Sequence, residues 1–217
     1  MNHHEKVEHL KELARQLRCP EGDEGIQTGE HMNVNNAGMT ARTLEKLHPA
    51  EQVLEIGPGN AQHAAQVLEK VKHYYAVDIS ETMVTEARQR NAVWIEQGRV
   101  RVEHIDGQHL PFSDAFFDEI FTVNTIYFWP EPLAYLEEMH RCLKPGGRLV
   151  LAFATQEFMQ HLPFTQYGFE MYATDTVEEL LTSVPFTILD VHQEDEEILS
   201  NAGHAVVRTF VVVSAQK

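Results

Sequence analysis

Val53-Leu54-Glu55-Ile56-Gly57-Pro58-Gly59-Asn60-Ala61 is the stretch that decides how this chain folds. A short apolar run ends in a glycine turn, and a helix is expected behind it over roughly 61–71. Glycine lets the backbone turn sharply and leaves bare main chain against which a ligand can sit. A Gly-x-Gly alone fits an ordinary strand-to-helix turn equally well, so the neighbouring segments have to decide.

Beyond this turn, short apolar strands alternate with amphipathic helices. Tyr74–Asp78 reads as the second strand, and Ser80 caps a helix carrying Met83, Val84 and Ala87. Val100–Ile105 and Phe117–Val123 read as the third and fourth strands. A helix over about 131–143 is expected to bury Leu133, Leu136, His140 and Leu143, until Lys144-Pro145-Gly146-Gly147 stops it. Arg148–Phe153 is the fifth strand. Two more, over about 186–193 and 205–214, have too short a link (Glu194–His204) for a crossover helix, so they should pair antiparallel. The expected fold is α/β and doubly wound: a seven-stranded, mostly parallel sheet with an antiparallel last strand.

Ahead of the sheet, Val7, Leu10, Leu13, Ala14 and Leu17 give helical spacing over 3–18. Pro20, Gly22 and Gly25 are expected to break it. A second helix over about 36–47 carries Met39, Thr43, Leu44 and Leu47. Residues 1–50 thus read as an N-terminal helical cap and 51–217 as the main domain, within one compact unit of 217 residues.

In such sheets ligands bind outside the carboxyl ends of the strands. Four consecutive strand ends present small or polar groups. The first is Glu55-Ile56-Gly57-Pro58-Gly59. The second is Asp78, about twenty residues after Gly57, where such folds place a carboxylate on a pair of ribose hydroxyls. The third is Asp106-Gly107, where a carboxylate can accept from an adenine amino group, although aspartate before glycine is also ordinary turn chemistry. Asn124-Thr125 is the fourth. Together they suit one nucleoside.

Three segments resemble class I S-adenosylmethionine-dependent methyltransferases. They are the glycine-turn stretch 53–61; Asp106-Gly107-Gln108-His109-Leu110-Pro111-Phe112 followed by Phe116-Phe117-Asp118; and Leu143-Lys144-Pro145-Gly146-Gly147-Arg148-Leu149. The likeness covers about residues 50–155. It implies S-adenosylmethionine as cofactor. Gly57, Pro58 and Gly59 would let the methionine part approach the backbone, and Glu55 would fix the loop and the cofactor amino group. Asp78 would bind the ribose hydroxyls, with Ile79 and Met83 beside the adenine. Asp106, Gly107 and Gln108 would meet the adenine edge, and Asn124 would lie near the methionyl carboxylate or the sulfonium. Ala61 stands where the family often has a third glycine. A nicotinamide cofactor fits less well: Gln62 replaces the last glycine of the dinucleotide fingerprint, and Glu55 would sit poorly near a pyrophosphate.

Methyl transfer needs a base only when the acceptor is protonated. His104, His109, Tyr127 and His161 are candidates, and none stands out. Aromatic residues after the fourth and fifth strands, among them Tyr127, Phe128, Tyr167 and Tyr172, point to an apolar or ring-bearing small acceptor. Gly29–Asn33 and Asn36–Met39 resemble the segment that closes over the cofactor in quinone- and lipid-directed relatives. Methylation of protein or RNA, or a module that only binds the cofactor, are the alternatives. The formal charge of −16, including Glu194-Asp195-Glu196-Glu197, argues against nucleic acid, leaving a local patch near Arg88 and Arg90 as the exception. No metal site is expected, since no HxxxH or HxH pair falls within an expected element. No run of about 18 apolar residues exists to span a membrane. No basic start precedes an apolar core, so no secretory signal is expected. Cys19 and Cys142 have no metal-ligand spacing and suggest a reducing, cytoplasmic setting.

Overall fold

The computed structural model describes residues 2–199 and 205–217. Helix α1 (His3–Arg18) opens on a capping box: Asn2 Oδ1 accepts from Glu5 N at 2.9 Å, and Glu5 Oε2 accepts from Asn2 N at 2.8 Å. Helix α2 (Gly22–Lys46) is twice the length expected and runs straight through Gly25. The expected break falls at Pro20 and Gly22, whereas Gly25 and Gly29 lie inside α2 and serve close packing. A Cβ at Gly25 would lie 2.6 Å from the Pro20 carbonyl carbon, and one at Gly29 would lie 2.9 Å from Met83 Sδ.

Strand β1 (Ala50–Ile56) then leads into α3 (Ala64–Val67), a single turn where a longer helix was expected. Strand β2 (Val71–Asp78), helices α4 (Glu81–Arg90) and α5 (Ala92–Glu96), and strand β3 (Val100–His104) follow. Next come β4 (Phe117–Val123), α6 (Pro132–Cys142), β5 (Leu143–Ala154), α7 (Gln156–Met159) and α8 (Thr174–Ser183). The chain closes with β6 (Thr187–Leu199) and β7 (Ala205–Gln216). The strand order is β3-β2-β1-β4-β5-β7-β6, parallel except that β7 runs antiparallel to both β5 and β6. That is the expected class of sheet.

Two expectations need correction. Helix α6 buries Tyr135, Leu136, Met139 and Cys142, whereas Leu133 is exposed and Leu143 already belongs to β5. Leu136 holds its expected place, while Tyr135, Met139 and Cys142 complete the buried face and His140 is half-buried. Strand β6 also extends through Glu194–Glu197, which had been assigned to the connection. Its acids are held as strand residues by cations: Glu194 Oε2 accepts from Arg42 Nε at 2.7 Å, and Glu196 pairs across the hairpin with Arg208.

The motif aromatics build one end of the core. Phe112, Phe116 and Phe117 meet Tyr75 edge-on with ring centroids 5.3–5.8 Å apart. Asp118 links two of the quoted segments, accepting from Lys144 Nζ at 2.6 Å and from Gln52 N at 2.8 Å. Beneath the sheet, Glu119 is buried against Arg148 Nη1 at 3.1 Å and His48 N at 3.0 Å. Burial nevertheless pushes its carboxyl up to about 7.

Candidate active site

Four parallel strands end on the same side of the sheet, and the cleft forms there. The first loop leaves β1 with Gly57 at φ +71° and Gly59 at φ +58°, left-handed conformations that favour glycine. A Cβ on Gly57 would collide with Thr125 Cγ2, while the space beside Gly59 is open. Ala61 is also left-handed, at φ +49°, and fully buried. That conformation explains why glycine suits its position, and alanine's small side chain tolerates it.

Asp78 faces this loop. Its Oδ2 accepts from Gly59 N at 3.1 Å and its Oδ1 from Ser80 N at 2.9 Å. It is 7% exposed, and no cation pairs with it among the described residues. Burial pushes its carboxyl up to about 6, an effect the backbone donors only partly offset. Glu55 lies deeper. It accepts from His63 Nε2 at 2.7 Å and from the Tyr74 hydroxyl. Burial works against a charged His63, but the Glu55 carboxylate outweighs it and holds that imidazole above its ordinary range.

A cleft of about 300 Å³ opens over these groups. Glu55, Gly57, Pro58, Gly59, Asp78, Ile79, Met83, Asp106, Gly107 and Asn124 all line it. Gln108 does not. Asp106 sits at the rim as a turn cap, accepting from Gln108 N, His109 N and His109 Nδ1 at 2.8–2.9 Å. Its bonds to His109 and the two backbone donors hold its carboxyl well below the usual range. Two buried donors in the cleft wall, Trp129 Nε1 and the Tyr135 hydroxyl, have no partner among the described residues. One side of the cleft is α2, whose Gly29, Met32, Asn33, Asn36 and Thr40 face it. Asn33 Nδ2 ties the helix to the glycine loop, donating to Asn60 Oδ1 at 2.9 Å.

The groups present suit a nucleoside with donors and positive charge. Beside the bare backbone at Gly59, the unpaired buried carboxylate of Asp78 and the two other acids of the wall, Glu55 and Asp106, suit hydroxyl or amino donors. They would repel a pyrophosphate, against which the described lining sets only Arg18 and His63, the latter already paired with Glu55. Among the described residues no group of three His, Cys, Asp or Glu side chains is placed to hold a metal.

A second cavity, of about 440 Å³, adjoins the cleft and shares Leu17, Met32, Asn36, Asn124 and Phe128 with it. Its walls are mainly apolar and aromatic, with Phe128, Phe158, Phe164 and Phe169 prominent. Tyr127 lines it, fully engaged: its hydroxyl donates to Asn124 Oδ1 at 2.9 Å and accepts from Ala154 N at 2.5 Å. Burial pushes that phenol up. Tyr167 and Tyr172 line neither cavity, and Tyr172 is part of the core. His104 and His161 also lie outside both, with ring nitrogens on the carbonyls of Ile79 at 3.1 Å and Glu157 at 2.7 Å. Arg208, not among the residues singled out in sequence, is buried and lines the second cavity. Its signal is a lone guanidinium in the apolar run Val206–Phe210.

Residues 54–151 match the family described as methyltransferase domain. The ordered strand ends, the seven-stranded sheet and this match agree. Over that stretch the chain resembles S-adenosylmethionine-dependent methyltransferases. A demethylmenaquinone methyltransferase of Clavibacter sepedonicus is 31% identical over 135 residues, covering 62% of this chain and 52% of that protein. A 27-O-demethylrifamycin SV methyltransferase of Amycolatopsis mediterranei is 30% identical over 106 residues, covering 48% and 39%. The chain thus spans about half the length of such relatives. An S-adenosylmethionine-dependent methyltransferase from Aquifex aeolicus superposes with a TM-score of 0.62 at 20% identity, covering 94% of this chain and 97% of that one. The cyclase SpnF superposes at 0.67 and 18% identity, covering 97% and 92%. The methyltransferase fold therefore does not by itself fix the reaction.

Proposed function

We propose that this methyltransferase moves the methyl group of S-adenosylmethionine to a small apolar or ring-bearing acceptor. The observation that carries the reading is the pair of adjoining cavities, one polar and acidic, the other apolar, meeting at Asn36, Asn124 and Phe128. The cofactor supplies a methyl on a positively charged sulfur. Asp78 receives the ribose hydroxyls on its remaining lone pairs. Gly57, Pro58 and Gly59 leave room for the amino-acid part, with Glu55 fixing the loop. Ile79, Met83, Asp106 and Gly107 frame the adenine. Asn124 sits at the junction, beside the reacting atoms.

The apolar chamber excludes water, so that alignment does most of the catalytic work. Tyr127 orients Asn124 rather than taking a proton, because its hydroxyl is buried and already bonded on both sides. The cap helices α1 and α2 form the outer wall of both cavities through Leu17, Met32 and Asn36.

A small acceptor is supported by the charge distribution. Arg88 donates to the Val102 carbonyl and Arg90 is paired with Glu30, so the basic candidate for a phosphate contact has its donors engaged within the fold. No described helix is long and apolar enough to cross a membrane. The unpaired Cys19 and Cys142 fit a reducing, cytoplasmic setting.

The test is a screen with methyl-labelled cofactor over small ring compounds, total RNA and a protein extract. Label transferred to a small molecule is the expected result. Label confined to RNA or protein would overturn the acceptor class. Absence of both label and S-adenosylhomocysteine formation would overturn methyl transfer.

A further inference from the structure

The second cavity has an asymmetric polar corner. Arg208 is 4% exposed and lines the chamber, and its cross-strand partner Glu196 lies behind it against Gly38 of α2. Glu196 Oε1 accepts from Arg208 Nε at 2.9 Å and also from Nη2. Arg208 Nη2 donates to the Asn35 carbonyl at 2.8 Å, and Nη1 donates to Asn36 Oδ1 at 3.0 Å. The ion pair is therefore a dipole with its positive end on the chamber.

Asn36 Oδ1 also accepts from Asn124 Nδ2 at 2.9 Å, so the Asn36 carbonyl is saturated. Asn124 Oδ1 takes the Tyr127 hydroxyl. The acceptors at the junction are occupied, while the Asn36 amide N–H groups and one N–H of Arg208 Nη1 have no partner among the described residues. Donors are open and acceptors are not. Among the described residues the titratable side chains of the lining are His9, Tyr127 and Arg208, with no carboxylate or thiol.

Building on the methyl-transfer reading, we propose that the chamber takes an aromatic ring compound bearing an ionised oxygen, held by the Arg208 guanidinium and the Asn36 amide. An acceptor that arrives as an anion needs no base. Its oxygen lone pair forms the new O–CH3 bond as the S–CH3 bond of the sulfonium breaks. The two charges cancel, leaving a neutral methyl ether or ester and a neutral thioether, with no proton to place. A chamber with open donors and no basic carboxylate is built for that acceptor and against an ammonium.

Three ring probes of similar size separate the cases at pH 7.5: 2-naphthoate, neutral 2-naphthol and cationic 2-naphthylmethylammonium. Each is titrated by calorimetry into the full chain, with and without saturating S-adenosylhomocysteine. The naphthoate is expected to bind at least about tenfold tighter than the neutral probe, as a charge-assisted hydrogen bond provides. The cation should bind weakest. Arg208→Met should abolish the preference while leaving the naphthol affinity in place. Because that variant removes one half of a buried pair and can fail to fold, Glu196→Gln provides the opposite perturbation and should tighten naphthoate binding. Equal affinities for the three probes, a uniform loss in Arg208→Met, or an unchanged naphthoate affinity in Glu196→Gln would overturn the proposal. Failure of S-adenosylhomocysteine to bind would instead count against the methyl-transfer reading, while the arms without cofactor still decide the charge preference.

Discussion

Asp78→Asn should make the protein more stable and a worse binder at once. The carboxyl rises from 3.8 to about 6 on folding, with burial as the main cause. A shift of about two units corresponds to about 3 kcal/mol at 1.36 kcal/mol per unit. The folded state holds this proton more tightly than the unfolded state. Its contribution to stability is therefore full below about pH 4, is lost between about 4 and 6, and stays lost at neutral pH. The amide removes the ionisation but turns one NH2 towards Gly59 N or Ser80 N, which costs about 1 kcal/mol. A net gain of about 2 kcal/mol at pH 7.5 raises the melting temperature by about 4–8 °C in a domain of this size. Cofactor affinity should fall at least about thirtyfold, because the ribose hydroxyls lose a charged acceptor. Urea unfolding at pH 5 and pH 7.5, with calorimetry of S-adenosylhomocysteine, measures both effects. A variant that is less stable at pH 7.5 and retains its affinity would refute the reasoning.

Arg148→Met should be strongly destabilising, by about 3–5 kcal/mol at pH 8, since Glu119 would be left buried without its cation. The loss should shrink on acidification through pH 7 as that carboxyl takes up a proton, and denaturant titrations across this range check the sign. Gly57→Ala should cost about 2 kcal/mol or more in melting experiments, combining the left-handed backbone with the collision at Thr125. Tyr127→Phe should lower stability by about 1–2 kcal/mol, because Ala154 N and Asn124 lose their partner. Its cofactor affinity should stay within about threefold of the original, as an orienting hydroxyl outside the cleft requires.

The strand ends were legible because each announces itself locally. Gly57 and Gly59 sit where the backbone is left-handed, and Asp78 closes an apolar run, so chemistry and position coincide. The aromatic motif residues Phe112, Phe116 and Phe117 were legible as a pattern, and the structure supplies the reason, a cluster around Tyr75. What failed to show were features decided by distant partners. Gly25 looks like a helix breaker until Pro20 is packed against it. Glu194 and Glu196 read as a solvated loop because Arg42 and Arg208, which hold them in β6, lie far off in sequence. Tyr167 and Tyr172 were grouped with the acceptor on composition alone, and a buried aromatic looks the same in sequence whether it lines a cavity or fills the core. Arg208 went unread for the converse reason: its role depends on a chamber built from α1, α2, α7 and the hairpin together.

Titration of S-adenosylhomocysteine into the full chain probes the cofactor cleft itself. One site per chain with affinity in about the micromolar range, weakening below about pH 6 as Asp78 gains its proton, is the predicted outcome. No heat of binding at about millimolar ligand, or affinity unaffected by Asp78→Asn, would contradict it.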